Sequence, residues 1–430
     1  MSLTVYKNAA ILDGTKEMTL QKNKAIVVEN DKIKEIVDCH QIPANAAVVD
    51  LGGRYVLPGL INLHVHLPGS GKPMNISKTN SDTSGLANTL LRNKPGRWIL
   101  KKMCYNFAKT ELLSGVTTIR TVGGLDTIDS QIRDEIRSGK VVGPNILAAD
   151  KAISVPGGHM AGLLAYATTS PEEAVACVDK IAEAKPDLIK IMITGGVLDA
   201  DDTGAPGAMK MPEPVIKAIC DRAHALGFYV AAHVESPEGV KAALQNGVDT
   251  IEHGAVLDDE LTALFHEKNA KLVCTISPAI PMKLLDENAM PDERYKINGT
   301  IVCNGIISAA KTARENDIPV GLGNDVGCPY VTHYNFWREL IYFQKYIEAD
   351  ARETLHTATL KNARIVGIDR LTGSIEPGKL ADMIVLDKNP LDDLSVLRNV
   401  SMVIKSGKEV KGKPKKSAKI DALLDGMKVE

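Results

Sequence analysis

Aromatic residues are scarce in this chain, making up 4% of 430 residues. So few stacking rings argue against a surface built to hold unpaired bases. Charge of one sign is also lacking. A net charge of -2 gives no electrostatic footing for nucleic acid or an anionic membrane as a partner. No apolar run approaches the roughly 20 residues needed to span a bilayer, and the stretch Met1-Ser2-Leu3-Thr4-Val5-Tyr6-Lys7 has no signal-peptide core. The seven cysteines lack any order: the number is odd, the positions are scattered, and Cys-x-x-Cys does not occur. That excludes a plausible disulfide framework or structural zinc knot and points to a reducing cytoplasm. A Gly-x-Gly-x-x-Gly turn opening a first helix is missing too, which counts against an open dinucleotide-binding sheet.

What the chain does contain is alternation. From Leu3 to about Tyr55 it reads as short strands with turns, including a hairpin of Lys24–Glu29 and Lys32–Val37 around Asn30-Asp31. Similar texture returns at Ala381–Asp387 and Val400–Lys408. Between them, from the apolar run Val56-Leu57-Pro58-Gly59-Leu60-Ile61-Asn62-Leu63-His64, strands and helices alternate for eight units. The fold class expected is α/β: a (β/α)8 TIM barrel, residues 58–365, inserted in a small β-sandwich formed by both termini, residues 1–57 and 366–430. The polar stretch after His66 to about Gly96 reads as an active-site loop, as does Ser277–Asn298. The tail from Lys413 reads as a basic turn and a short amphipathic helix, a surface latch or oligomer contact.

Catalytic groups of such barrels lie at the C-terminal ends of the strands. Those ends carry His64 and His66 on the first strand, Lys190 in the fourth, His233 on the fifth, His253 on the sixth and Asp325 after the eighth. His64 and His66, two apart on a strand, point to one face and can reach one metal ion. Lys190, between Ile189 and Ile191 on a buried strand, is expensive as an ammonium ion. It is either paired at the barrel mouth or neutral enough to add carbon dioxide, giving a carbamate ligand. The residues alone leave both open.

His64-Val65-His66, Lys190, His233, Ile251-Glu252-His253-Gly254 and Gly323-Asn324-Asp325 resemble the ligand set of the amidohydrolase superfamily. Leu371–Asp382 resembles the re-entry into that superfamily's β-sandwich. Pro156-Gly157-Gly158-His159 and Lys190-Ile191-Met192-x-x-Gly195-Gly196 are similar to its prolidase-like branch of Xaa-Pro dipeptidases and Xaa-Arg/Lys carboxypeptidases. The resemblance implies two zinc ions per chain: His64, His66 and Asp325 on one, His233 and His253 on the other, with carboxylated Lys190 bridging. It also implies attack by a metal-bridging hydroxide on the amide of a dipeptide or N-acyl amino acid, with Asp325 as general acid/base. Homo-oligomers are common among the relatives. Asn62 and Asn324 depart from the commoner residues before His64 and Asp325, and Leu67–Pro73 departs from the dipeptidase pattern.

Other residues carry two readings each. His159, after a Gly-Gly turn, either contacts a substrate carbonyl or carboxylate or is a hydrogen-bonded loop histidine. Tyr229 shares the face of His233, as a substrate donor or as core. Arg120 and Lys151 follow strands and suit either a substrate carboxylate or a structural ion pair. His333 and Trp337 line a pocket or pack a helix, and Cys328 falls beside Asp325. Rival readings are hydrolysis of a cyclic or other non-peptide amide on the same site, and a metal-free scaffold. Base deamination is disfavoured, because His233-Val234-Glu235 lacks the His-x-x-Glu spacing and a lysine holds the strand-4 position.

Overall fold

The structure is a computed structural model that describes residues 3–73, 80–200, 202–286, 289 and 292–427. Its residues fall into two compact units. The first comprises residues 1–62, 109–119 and 334–415, the second residues 63–108, 120–333 and 416–430.

The first unit is organised by a sheet of eight strands: β1 (Leu3–Ile11), β2 (Gln21–Glu29), β3 (Lys32–Asp38), β4 (Ala47–Asp50), β5 (Tyr55–Pro58) and, from the far end of the chain, Met383–Leu386, Met402–Lys405 and Lys408–Val410. Strand Met383–Leu386 pairs antiparallel with β5, with Ile384 opposite Leu57, so the two termini share one sheet. The expected hairpin is present, Val27 facing Glu35 across β2 and β3. Alternate residues of these strands, among them Tyr6, Ile26, Val28, Val56, Met383, Val385 and Ile404, close into one buried cluster. Period-2 alternation is what makes that cluster one-sided.

The alternating region supplies parallel strands. β6 (Leu60–Val65), β7 (Val116–Thr121) and β8 (Asn145–Ala148) form a three-stranded sheet. β9 (Ala152–Ser154), β10 (Ala165–Ala167), β11 (Ile189–Met192), β12 (Val230–Val234), β13 (Thr250–His253), β14 (Lys271–Cys274) and β15 (Val320–Leu322) form a seven-stranded parallel sheet in the order β10-β9-β11-β12-β13-β14-β15. Residues of β6, β7, β11, β12, β13 and β15 are buried throughout, as expected where helices follow each parallel strand. Backbone bonds link the two sheets. Asp187 N–H donates to Ala148 O at 2.8 Å and His66 N–H to Val326 O at 3.0 Å, beside a parallel bridge between Val65 and Val326.

The helices start where the sequence can cap them. In chain order they are α1 (Asn80–Leu91), α2 (Lys94–Leu113), α3 (Ile128–Arg137), α4 (Pro171–Ala182), α5 (Glu213–Ala225), α6 (Pro237–Gln245), α7 (Asp259–Glu267), α8 (Ala279–Leu284), α9 (Glu293–Glu315) and α10 (Phe336–Tyr346). Ser170 and Ser236 cap α4 and α6, each with proline at the first helical position, and Asp258 caps α7.

Two expectations need correction, and two short strands were not expected. The stretch after His66 is not all loop, since α1 and the start of α2 lie within it. α1, Asn-Ser-Asp-Thr-Ser-Gly-Leu-Ala-Asn-Thr-Leu-Leu, is too polar to show a helical period. The segment Ser277–Asn298 contains α8 and the first turns of α9, which begins at Glu293 because Asp292 accepts a bond from Arg294 N–H. Strands β9 and β10, three residues each, are too short for alternation to register.

One contact fixes the position of β15 against β6. A Cβ on Gly323 would lie 2.5 Å from His64 Cβ and 2.6 Å from His64 backbone nitrogen. Both are parts that cannot swing aside. Gly323→Ala should therefore destabilise the protein by about 1–3 kcal/mol, read as a fall in the urea midpoint. A midpoint equal to wild type would show that the two strand ends are not in register as described.

Candidate active site

Side chains from the C-terminal ends of the parallel strands meet in one place. His64 lies near the end of β6 and His66 just beyond it, with ring centroids 5.3 Å apart. Asp325, three residues past β15, reaches both: its Oδ1 is 3.5 Å from His64 Nε2 and 3.3 Å from His66 Nε2. His253 closes β13, its ring 4.8 Å from His64 and 4.7 Å from His233. One donor atom each from His64, His253 and Asp325 lies within 4.8 Å of the others, and the same holds for His233, Glu235 and His253. His253 belongs to both triplets.

Each histidine has one ring nitrogen held from behind. His64 Nδ1 is 2.8 Å from Glu252 Oε2, His66 Nδ1 3.0 Å from Gly123 O, His233 Nε2 3.1 Å from Gly195 O and His253 Nδ1 2.7 Å from Thr275 Oγ1. Carbonyl oxygens only accept, so His66 Nδ1 and His233 Nε2 donate there. Burial, helped by the charge of Lys190, lowers the His64 pKa to about 4. Burial and neighbouring histidines hold His233 and His253 well below the usual range. These imidazoles are neutral at physiological pH, the form that ligates metals.

Behind His64 sits a fully buried ion pair. Arg120 Nη2 donates to both oxygens of Glu252, at 2.7 and 2.6 Å, while its Nε donates to Leu63 O at 2.7 Å. Burial alone would raise the Glu252 pKa, but the Arg120 charge outweighs it and keeps the carboxyl far below its ordinary value. Glu252 is thus an ionised acceptor that orients His64. Burial opposes ionisation of Asp325 as well, and His64 and His66 overcome it, so that its pKa is well below the carboxylate range.

Lys190 stands among these groups on β11. Its side chain is buried, and its Nζ has no hydrogen-bond partner among the described residues. Burial lowers its pKa to about 8, against the pull of Glu252 and Asp325. A buried amine without a partner is costly, and it marks a place where something else belongs. His253 and Asp325 also adopt left-handed backbone, with φ of 68° and 50°. Such conformations cost on the order of 1–3 kcal/mol each for side-chain-bearing residues and concentrate where ligands are gripped.

His159 joins the group. Its ring stacks on His233 at 4.1 Å with a 7° tilt, and its Nδ1 is 2.8 Å from Asp199 Oδ2. Cys328 Sγ lies 3.4 Å from Asp325 Oδ2. His333 Nε2 donates to Gly69 O at 2.8 Å and stacks on Phe107 at 4.5 Å. Tyr229 is not brought to the cluster. It packs against Val122, Ala149, Leu188 and Ala231 on the side of Arg120, and burial raises its pKa to about 12. Arg120 is committed to Glu252, and Lys151 stacks on Tyr166 at 4.7 Å.

Three residues escaped the sequence reading as site members: Glu252, Glu235 and Asp199. Glu252 adjoins His253 in the chain, and only the fold shows that it meets His64 and Arg120. Glu235 was legible in principle, because it lies two residues after His233 on the same face.

Comparison with known proteins agrees with this arrangement. The amidohydrolase family profile matches residues 55–410. A protein of Bifidobacterium longum, provisionally named a prolidase, has a solved structure that superposes with a TM-score of 0.86 at 37% identity, covering 99% of this chain and 98% of that one. A Xaa-Pro dipeptidase solved with methionine bound in the active site superposes with a TM-score of 0.81 at 29% identity, covering 96% of this chain and all of the other. Ochratoxinase of Aspergillus niger is 26% identical over 437 aligned positions, 94% of this chain and 83% of its own length.

Arg120→Met should cost about 3–5 kcal/mol, because it leaves the buried Glu252 charge without its guanidinium. The folded-state pKa of Glu252 is depressed. The pair's contribution is therefore fully present above the unfolded value of about 4.3 and is lost as pH falls through the folded-state value. Urea midpoints should show the variant weakened at pH 7, with a smaller further loss on acidification than wild type shows. Equal midpoints at pH 7 would rule the pair out as a structural determinant.

Proposed function

The chain belongs to the amidohydrolase family and is a hydrolase of carbon–nitrogen bonds, and on that premise we propose that it cleaves the amide of a dipeptide or N-acyl amino acid in a metal-dependent reaction. The observation that carries this reading is the convergence of neutral, pre-oriented histidine nitrogens with an ionised aspartate around a partnerless buried lysine. Support for the substrate class comes from the relatives, one named a Xaa-Pro dipeptidase and another provisionally a prolidase.

The donor set fits two divalent cations. His64, His66 and Asp325 would hold one and His233 and His253 the other, with zinc the cation suited to imidazole and carboxylate donors. Lys190 would bridge them as a carbamate. A pKa of about 8 leaves part of the amine neutral at pH 7, and the nitrogen lone pair can then add to carbon dioxide with loss of a proton. Bound cations would supply Lewis acidity and a readily deprotonated water.

The rest of the chemistry belongs to the chain. Asp325, ionised and facing His64 and His66, accepts the proton of the attacking water at a carboxylate oxygen and returns it to the leaving nitrogen. His159, held by Asp199 against the His233 ring, presents its free edge for the scissile carbonyl or the substrate carboxylate. Gly123 O, Gly195 O, Thr275 and Glu252 keep the four histidines oriented through the cycle.

We read the parallel strands β6, β7, β8 and β11 to β15 as a (β/α)8 barrel over residues 58–365, and residues 1–57 with 366–430 as the β-sandwich. The bonds from Asp187 to Ala148 and from His66 to Val326 support closure of the barrel, and the shared eight-stranded sheet supports the sandwich. None of the seven cysteines is in a disulfide, and the setting we propose is the cytoplasm.

Zinc-loaded protein incubated with pooled dipeptides and pooled N-acyl amino acids should release free amino acid from one pool, and chelation should abolish the release. Silence from every pool with two metals bound would move the substrate to a cyclic or other non-peptide amide. Lys190→Ala should lose the second metal and turnover together. Two metals and full turnover in that variant would sink the carbamate.

A further inference from the structure

We propose that Glu235 supplies an oxygen ligand to the cation held between His233 and His253, an addition to the donor set that rests on the metal-dependent reading above.

The placement is dictated by the strand. Val234 ends β12, and residues two apart on an extended segment face the same side, so Glu235 shares the face of His233. Its backbone is pinned there, since the Glu235 N–H donates to Thr194 Oγ1 at 3.1 Å. One oxygen of Glu235, one nitrogen of His233 and one nitrogen of His253 lie within 4.8 Å of one another. The ring nitrogens left free are those not engaged by Gly195 O and Thr275 Oγ1. Three electron-pair donors thus enclose one space, with no hydrogen-bond donor among them.

The carboxylate itself is in an unfavourable position without a cation. Glu235 Oε2 is shielded from solvent and has no hydrogen-bond partner among the described residues. Burial, Asp325 and Asp199 all disfavour its charge, and Lys190 and the backbone N–H of Val197 are the groups beside it that favour a charged carboxylate. Conversion of Lys190 to a carbamate removes that positive charge and adds a negative one. A divalent ion bonded to the unpartnered oxygen would supply the positive charge that the carbamate removes. The charge count is also reasonable. Two divalent ions against Asp325, a carbamate, Glu235 and a hydroxide would leave the centre neutral overall.

A substrate ammonium is the rival occupant of the same space. It would need acceptors, which the three groups are, but it would have to displace the second cation. Metal binding therefore distinguishes the two.

The full-length protein is stripped of metal, and zinc binding by wild type, Glu235→Gln and Glu235→Ala is measured by competition with a chromophoric chelator. Cobalt spectra of the same proteins report the ligand field, and circular dichroism confirms that each variant is folded. Wild type should hold two ions. The Glu235→Ala variant should hold one as tightly as wild type and the other roughly 10–100-fold more weakly, with a shifted cobalt band. Glu235→Gln keeps the side-chain shape and should show the same loss in milder form. Two ions at wild-type affinity with unchanged cobalt spectra in both folded variants would overturn the proposal and leave the hydrolase reading standing. That result with a raised KM confined to substrates bearing a free amine would assign Glu235 to the substrate. Fewer than two ions on wild type would overturn the proposal and the binuclear reading together.

Discussion

Glu252 is bonded on one side to the guanidinium of Arg120 and on the other to the imidazole of His64, and the rest of the site is arranged around that carboxylate. With neither partner it would be a buried charge in a nearly solvent-free interior. With both, it joins three strands, because Arg120 lies on β7, Glu252 on β13 and His64 on β6. The same carboxylate that anchors the strands selects the tautomer of His64 and leaves its Nε2 lone pair facing Asp325. Structural and chemical roles are inseparable here. The contacts that make the strand ends converge also orient the His64 imidazole.

The charges at the site follow from this arrangement. Burial pushes His64, His233 and His253 toward neutrality and would push the carboxylates toward protonation. Carboxylates with a cationic or donating neighbour, Glu252 and Asp325, stay ionised. Burial and two other carboxylates push the Glu235 pKa well up from the usual range. Lys190 is drawn down to about 8, near enough to neutrality for its nitrogen to react as an amine. One small volume therefore holds an ionised proton acceptor, neutral lone-pair donors and a reactive amine. Such a mixture is expensive to maintain in a folded protein and marks a functional site rather than core filling.

Much of this was legible beforehand, and the reasons differ by residue. His64, His66, His233 and His253 stood at the ends of apolar runs, where side-chain alternation and barrel logic both apply. Lys190 was conspicuous because two isoleucines flank it. Helices such as α4 and α6 announced themselves through Ser-Pro starts, whereas α1 had no apolar period to read. Arg120 and Glu252 could not be paired from sequence, since nothing in either local run points to a partner on a distant strand. The position of Tyr229 was ambiguous for a related reason. Alternation gives the face of a side chain but not its depth along the strand.

The contact of Gly323 with the backbone of His64 has a consequence for how the enzyme comes into being. His64 lies early in the chain, while Gly323 and Asp325 emerge only after most of it has been synthesised. Until β15 docks beside β6, the early histidines have no aspartate to share and no neighbour to hold their strand in place. A growing polypeptide thus carries nitrogen donors without a complete cage. The set of donors is therefore assembled only when the last parallel strand docks, which ties maturation of the site to synthesis of β15.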